Sequence, residues 1–310
     1  ADVAQQRRFE MQNIVPERLK TGDEIRVIAP STSIKIIGED CRQIAKERFE
    51  ALGLKVSFGK NTTDDNFDMM ASSDLHKRAE DVMEAFEDKK VKAIFTIIGG
   101  FSSNQVLPFL DYDIIRQNPK IICGYSDITA LLNGIRSRTG LVTFYGPHYS
   151  SVGMKKGNEY TFEMLRQMLF EGNCDWKPSE EWSDDLWFID QEKREFIKNG
   201  GWQVLQEGEA EGHLEGGNLQ TLFLLSATPY QPVFAPETIL VLEDCFVAAA
   251  SDAKCFMNRL QSLAQREDFR NVRALLIGRF QKESDVSREK LDFIINHIPQ
   301  LKNLPVIANM

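Results

Sequence analysis

Along the first half of the chain, apolar and polar positions switch repeatedly between two periods. Residues 24–30 (EIRVIAP) form a continuous apolar run and predict a buried strand. Residues 39–52 then place Ile44, Ala45, Arg48, Phe49 and Leu52 at helical spacing, with Gly53 as a stop. A second short strand is predicted over 54–58. Asp74 can cap a helix that carries Leu75, Ala79, Val82, Met83 and Phe86 on one face. The run 91–98 (VKAIFTII) predicts a strand ending in Gly99-Gly100, and 120–123 (KIIC) another; a helix begins over 128–135, and the apolar run 141–145 (LVTFY) follows. Strands alternating with helices predict an α/β fold, with a parallel sheet covered on both faces.

In such sheets ligands gather beyond the carboxyl ends of the strands. Here those ends carry Pro30-Ser31-Thr32-Ser33, Gly99-Gly100, Gly124-Tyr125-Ser126-Asp127 and Gly146-Pro147-His148. Ordinary turn chemistry accounts for any one of these loops. Four on one edge point to a site. Residues 172–201 lose periodicity and are rich in Trp, Asp and Glu, which fits a long excursion between domains. The remainder holds Gly216-Gly217-Asn218, a helix from Leu219, a strand over 238–242 (TILVL), a helix over 251–266, and strands over 274–277 and 305–308. The expected division is a first domain over 1–171, an interdomain loop over 172–201 and a second domain over 202–310.

Composition narrows the picture. Hydrophobic residues make up 42% and charged residues 27% of the 310, the balance of a soluble globular protein. A net charge of −9 would repel phosphate backbones, so nucleic acid is not an expected partner. No apolar stretch is long enough to span a bilayer, and the polar first ten residues lack the apolar core of a secretory signal, so a cytoplasmic protein without membrane contact is expected. Five cysteines, odd in number and widely spaced, read as reduced thiols. The four histidines are scattered too, and neither a metal nor another cofactor is expected.

Residues 121–129 (IICGYSDIT) have the shape of a nucleophile elbow: a strand, a sharp turn bearing Ser126, and a helix start. Ile128 stands where the usual motif has its second glycine, and Ser126 or Asp127 could equally serve as an N-cap. Backbone N–H groups at such a helix start can stabilise an oxyanion, and Gly100 could offer a second donor or merely form a tight turn. An activated serine needs a base and an orienting carboxylate. Glu243, at the end of the 238–242 strand, is a candidate carboxylate, with Asp244 as its rival. Pattern alone nominates His148 as the base, since His76, His213 and His297 lie away from the strand ends of the first domain.

Together these residues resemble the LD-carboxypeptidase family of serine peptidases, and more closely its microcin C self-immunity branch. The likeness runs from Arg18-Leu19-Lys20-Thr21-Gly22-Asp23 to the end. It rests on Ile98-Gly99-Gly100-Phe101, Leu110-Asp111-Tyr112, Pro119-Lys120, Gly124-Tyr125-Ser126-Asp127-Ile128-Thr129, Gly216-Gly217-Asn218-Leu219 and Leu242-Glu243-Asp244. The resemblance implies a Rossmann-like N-terminal domain and a smaller, β-rich α/β C-terminal domain, assembled as a homodimer. It implies Ser126 as nucleophile, Glu243 as triad acid, and the Gly100 and Asp127 N–H groups as oxyanion hole. The family's histidine follows the last strand in an N-x-D-F-G-H type of segment, whereas this sequence ends at Asn309-Met310; a base supplied by a following tail is expected, and His148 becomes a pocket residue. The implied substrate is an aspartyl or peptidyl group joined to a nucleotide, with murein tetrapeptide (release of terminal D-alanine) and a catalytically inactive binding relative as alternatives. The loop over 180–194, with Trp182, Asp184, Asp185 and Trp187, resembles the immunity branch. An aromatic there, Trp187 before Trp182, is expected to stack on a base. Asn218 and His148 complete the expected binding residues.

Overall fold

A computed structural model of the protein describes residues 13–63, 66–245 and 252–310. The predicted alternation produces β1 (Glu24–Ile28), α1 (Glu39–Ala51), β2 (Lys55–Phe58), α2 (Leu75–Glu87), β3 (Val91–Thr96), α3 (Tyr112–Gln117), β4 (Ile121–Gly124), α4 (Thr129–Thr139), β5 (Phe144–Tyr145), α5 (Tyr149–Val152) and α6 (Glu159–Arg166). The five strands form one parallel sheet in the order β2-β1-β3-β4-β5. Successive side chains leave a strand on opposite faces. Ile25, Val27 and Phe95 therefore enter one core with Phe49 of α1 and Tyr149 of α5, while Ile28, Ile94 and Ile122 enter another with Phe86 of α2 and Leu131 of α4. Phe49 packs against Phe95 with ring centroids 4.9 Å apart. Asp74 caps α2 as its position predicts, its side chain accepting from the His76 and Lys77 N–H groups.

This strand order reverses direction between β1 and β3, which opens a crevice at their carboxyl ends. The loops that meet there are Ser31-Thr32 after β1 and Gly99-Gly100 after β3, with the Ser126 turn after β4 beside them.

Two short strands, β6 (Glu181–Trp182) and β7 (Ile197–Lys198), pair antiparallel within the long excursion. The second unit comprises β8 (Gln203–Gln206), β9 (His213–Asn218), α7 (Leu219–Phe223), β10 (Thr238–Glu243), α8 (Ala253–Ala264), β11 (Val272–Ile277), α9 (Arg288–His297) and β12 (Val306–Ala308). Its sheet runs β8-β12-β11-β10-β9, with β9 to β12 parallel and β8 antiparallel at the edge. Leu240, Leu242, Leu275 and Ile277 pack with Phe256, Leu260, Leu291 and Ile294 into a separate core.

Two segments differ from the sequence reading. Of the apolar run 141–145, only Phe144–Tyr145 is strand. The polar, glycine-rich stretch before Asn218, to which the sequence reading assigns no strand, is β9, held in parallel register by β10. The predicted start of the helix at Ser251 lies outside the described residues, and α8 begins at Ala253.

Candidate active site

The elbow after β4 follows from its small residues. At Gly124 a Cβ would lie 2.3 Å from the Thr96 hydroxyl, so only glycine lets β4 pass its neighbour there. Tyr125 is extended, and Ser126 then takes φ 59°, a left-handed conformation that costs an L-residue roughly 1–2 kcal/mol. A single 3-10 turn over Ser126–Ile128 leads into α4. The strain sits on the residue that pattern reading nominates as nucleophile. Gly99 lies against it: a Cβ there would come 3.2 Å from the Ser126 Cβ and 3.5 Å from the Asp127 nitrogen. Gly100 has φ 148°, and a Cβ on it would strike the Thr32 and Ser31 hydroxyls at 2.2 and 2.4 Å. Gly100 is thus required by close approach of the β1 loop, while Gly99 faces the elbow after β4.

Asp127 is buried, and its Oδ2 accepts from the Ser31 hydroxyl (2.6 Å) and from the Ser102 (3.1 Å) and Ser103 (2.9 Å) N–H groups. The Ser103 hydroxyl donates to the Asp127 carbonyl at 2.6 Å. One carboxylate therefore fastens three loops around the elbow, and these charge-assisted bonds are stronger than neutral ones.

The second domain brings its own edge against this one. Gly216 and Gly217 adopt φ 136° and 130°. A Cβ on Gly217 would meet Thr129 at 2.8 Å and the Tyr145 ring at 3.2 Å. The Asn218 N–H donates to the Thr129 hydroxyl (2.9 Å), Asn133 donates to the Gly216 carbonyl (2.9 Å), and Arg136 pairs with buried Glu215 at 2.6 Å. This docking carries Glu243, the last residue of β10, to the Ser126 turn. The Tyr145 hydroxyl accepts from the Ser126 N–H at 3.0 Å and donates to Glu243 Oε1 at 2.5 Å.

Burial raises the Glu243 carboxyl above its ordinary range, while hydrogen bonds from Tyr145 and Asn218 oppose the rise. Tyr145 as a whole is 38% exposed. Its hydroxyl end nevertheless reaches between the domains, where burial first and the Glu243 charge second push its ionisation well above the ordinary value. The rival carboxylate is engaged elsewhere, since Asp244 is buried in an ion pair with Arg259 at 3.0 Å. Asn218 stands opposite Glu243 in the β9–β10 register, its side chain capping α7 through the Thr221 N–H.

The remaining predicted residues lie apart from this chain of contacts. His148 is buried, shares a 2.9 Å hydrogen bond with the Thr96 hydroxyl and stacks on Tyr125 with centroids 4.2 Å apart. Burial pushes its pKa down to about 3, so it is a neutral prop beneath the elbow. His76 packs on Phe109 and His297 on Phe293. His213 pairs with Thr238, at the far end of β10 from Glu243. Among the described residues, no imidazole hydrogen-bonds Ser126 or Glu243.

Trp187 is only 8% exposed and packs into the first-domain core, so most of its surface is covered by the protein's own side chains. Trp182 instead carries the Arg279 guanidinium on its ring, 4.7 Å from the centroid. Arg279 also donates to Asn199 (2.6 Å), and Lys282 pairs with Asp184 (3.4 Å), so the loop is bound to both domains. The sequence marks Tyr145 only by its place at the end of the apolar run before Gly146.

No three His, Cys, Asp or Glu side chains gather into a metal-binding group among the described residues, and no described helix is long and apolar enough to cross a membrane.

Comparison with known proteins bears on this site. Residues 25–146 match the LD-carboxypeptidase N-terminal domain and residues 211–310 the LD-carboxypeptidase C-terminal domain. A crystal structure of an MccF-like protein from Bacillus anthracis superposes with a TM-score of 0.91 at 46% identity, over 96% of this chain and 89% of that one. The microcin C7 self-immunity protein MccF of Escherichia coli is 30% identical over 299 residues, 93% of this chain and 85% of the relative. A structure of microcin C7 self-immunity protein MccF in complex with aspartyl sulfamoyl adenosine, 29% identical, superposes with a TM-score of 0.83 over 96% of this chain and 90% of that one. The murein tetrapeptide carboxypeptidase of Pseudomonas aeruginosa is 26% identical over 260 residues, 83% of this chain and 76% of the relative.

Proposed function

The chain belongs to the LD-carboxypeptidase family, and on that premise we propose that it is a serine hydrolase that cleaves an amide-type bond in an aspartyl- or peptidyl-nucleotide. The observation that carries the reading is the strained Ser126, linked through the Tyr145 hydroxyl to Glu243 from the opposite domain. The choice of a nucleotide-linked substrate is supported by the aspartyl sulfamoyl adenosine bound to MccF.

In the proposed reaction Ser126 Oγ attacks the scissile carbonyl and its proton passes to an imidazole. The oxyanion rests on the Gly100 and Asp127 N–H groups. The imidazolium then protonates the leaving nitrogen, and water releases the acyl group from Ser126. Glu243 holds the imidazole in its tautomer. The base is a histidine of a segment following Met310, as the family resemblance implies. The sheet supports this: β12 runs parallel to β10 and β11, so its carboxyl end faces the same edge as Glu243. There the Met310 N–H donates to the Ile277 carbonyl at 3.1 Å and the Arg279 N–H to the Met310 carbonyl at 3.3 Å. Asn218 borders the pocket beside Glu243, His148 supports its floor through Tyr125, and Trp187 anchors the loop that faces the nucleoside. The proposed assembly is a homodimer.

The likeness to a murein tetrapeptide carboxypeptidase favours a second reading, release of a terminal D-alanine from murein peptide. Assaying the complete gene product with aspartyl sulfamoyl adenosine and with murein tetrapeptide separates the two. The expected result is a kcat/KM at least about tenfold higher for the first, with both activities lost in Ser126→Ala. The reverse ratio would establish the murein reading. No turnover of either, together with no labelling of Ser126 by a fluorophosphonate, would leave a binding protein.

A further inference from the structure

We propose that Tyr145 is a positioning residue of the triad, whose hydroxyl couples the main chain of the nucleophile to the triad acid across the domain boundary. The inference rests on the hydrolase reading above. A phenol has one proton to give. Because the Ser126 N–H donates to the Tyr145 oxygen, that proton is free for Glu243, and the 2.5 Å contact uses it. Both ends are thereby fixed. The Ser126 amide is held in its left-handed conformation, and Oε1 of Glu243 takes the phenol proton, which fixes the carboxylate beside the turn. Ser126 N–H is also removed from the pool of oxyanion donors, which leaves that role to Gly100 and Asp127.

The route of the ring is built for this contact. Tyr145 stands on the edge strand β5, and its ring passes beneath β9 at Gly217, where a Cβ would crowd it at 3.2 Å. The residues in contact are 98 positions apart in the chain, so the bond forms only when both sheets are docked. Among the described residues, few charges lie around Glu243. Asp244 follows it just past β10 and is paired with Arg259 of α8, Cys245 comes next, and Tyr125 faces it from the elbow. Asn218 on β9 is neutral, and Gly278, just after β11, is where a Cβ would meet the Glu243 Cβ at 2.6 Å. No cation among these offsets the carboxylate directly, so the phenol donor, with Asn218 beside it, opposes the effect of burial.

Tyr145→Phe keeps the ring and deletes the bond. In the complete gene product, the rate of fluorophosphonate labelling of Ser126 is expected to fall about 10- to 100-fold at neutral pH. The acid limb of its pH profile should move to higher pH, with the unfolding midpoint little changed. In a Glu243→Ala background the same change should cost less than about threefold, because the tyrosine then has no acceptor to hold. Equal losses in both backgrounds, or an unshifted acid limb, would overturn the inference while leaving the hydrolase reading intact. Failure of the unaltered protein to label at Ser126 would instead remove that reading.

Discussion

The Ser31 hydroxyl donates to Oδ2 of Asp127 at 2.6 Å, across 96 positions of sequence. The same oxygen takes two N–H groups from Ser102 and Ser103, so a single buried atom organises the crevice where the strand order reverses. Hydrogen bonds to a charged group contribute about 1.5–3 kcal/mol each. Ser31→Ala is expected to cost about 2 kcal/mol in urea unfolding. Asp127→Asn should cost more, about 3 kcal/mol, because it removes the charge from all three bonds, and it should slow Ser126 labelling by tenfold or more. A stable Asp127→Asn variant with unaltered labelling would show that the loops hold themselves.

Glu243 makes stability depend on pH with a definite sign. Burial raises its carboxyl in the folded chain above the ordinary value of 4.5. Just above that value the folded state binds more protons than the unfolded one, so unfolding free energy falls as pH rises through the window. Glu243→Gln removes the titration and keeps an acceptor for Tyr145. The variant is expected to be more stable than the parent near pH 8, with the gap closing toward pH 4. Denaturant midpoints at the two pH values test this, and a gap that widens on acidification would contradict it.

Trp187 is a packing residue of the first-domain core as well as part of the proposed pocket wall. Truncating a buried aromatic typically costs about 3–5 kcal/mol. Trp187→Ala should therefore lower global stability by that order, whether or not a nucleotide is present, whereas Trp187→Phe should cost less. Thermal unfolding with and without AMP distinguishes a core role from a ligand role: a variant that unfolds like the parent but no longer gains stability from AMP would assign the indole to the ligand.

The parts of this molecule that announce themselves in the sequence are those whose reasons are local. β1, β3, β4 and β10 are apolar runs closed by turn residues, and Asp74 caps the helix that its position predicts. Ser126 is legible because strand, turn and helix start are consecutive. β9 is not legible, since two of its six residues are glycines that bring backbone close to α4 and Tyr145, and only the docked partner makes that arrangement worthwhile. The choice between Glu243 and Asp244 is equally hidden in the sequence. It turns on Arg259, which occupies the second carboxylate. Trp187 illustrates the last kind of difficulty, for a tryptophan in an acidic loop reads the same whether it packs inward or stacks on a ligand.

Because the strained serine rides on one sheet and its carboxylate on the other, the chemistry is conditional on docking. A misplacement of about 1 Å can cost two orders of magnitude in rate. Warming that merely loosens the seam along Gly216, Gly217 and Thr129 would thus disarm the molecule while both cores are still intact, making heat inactivation an early event and melting a late one.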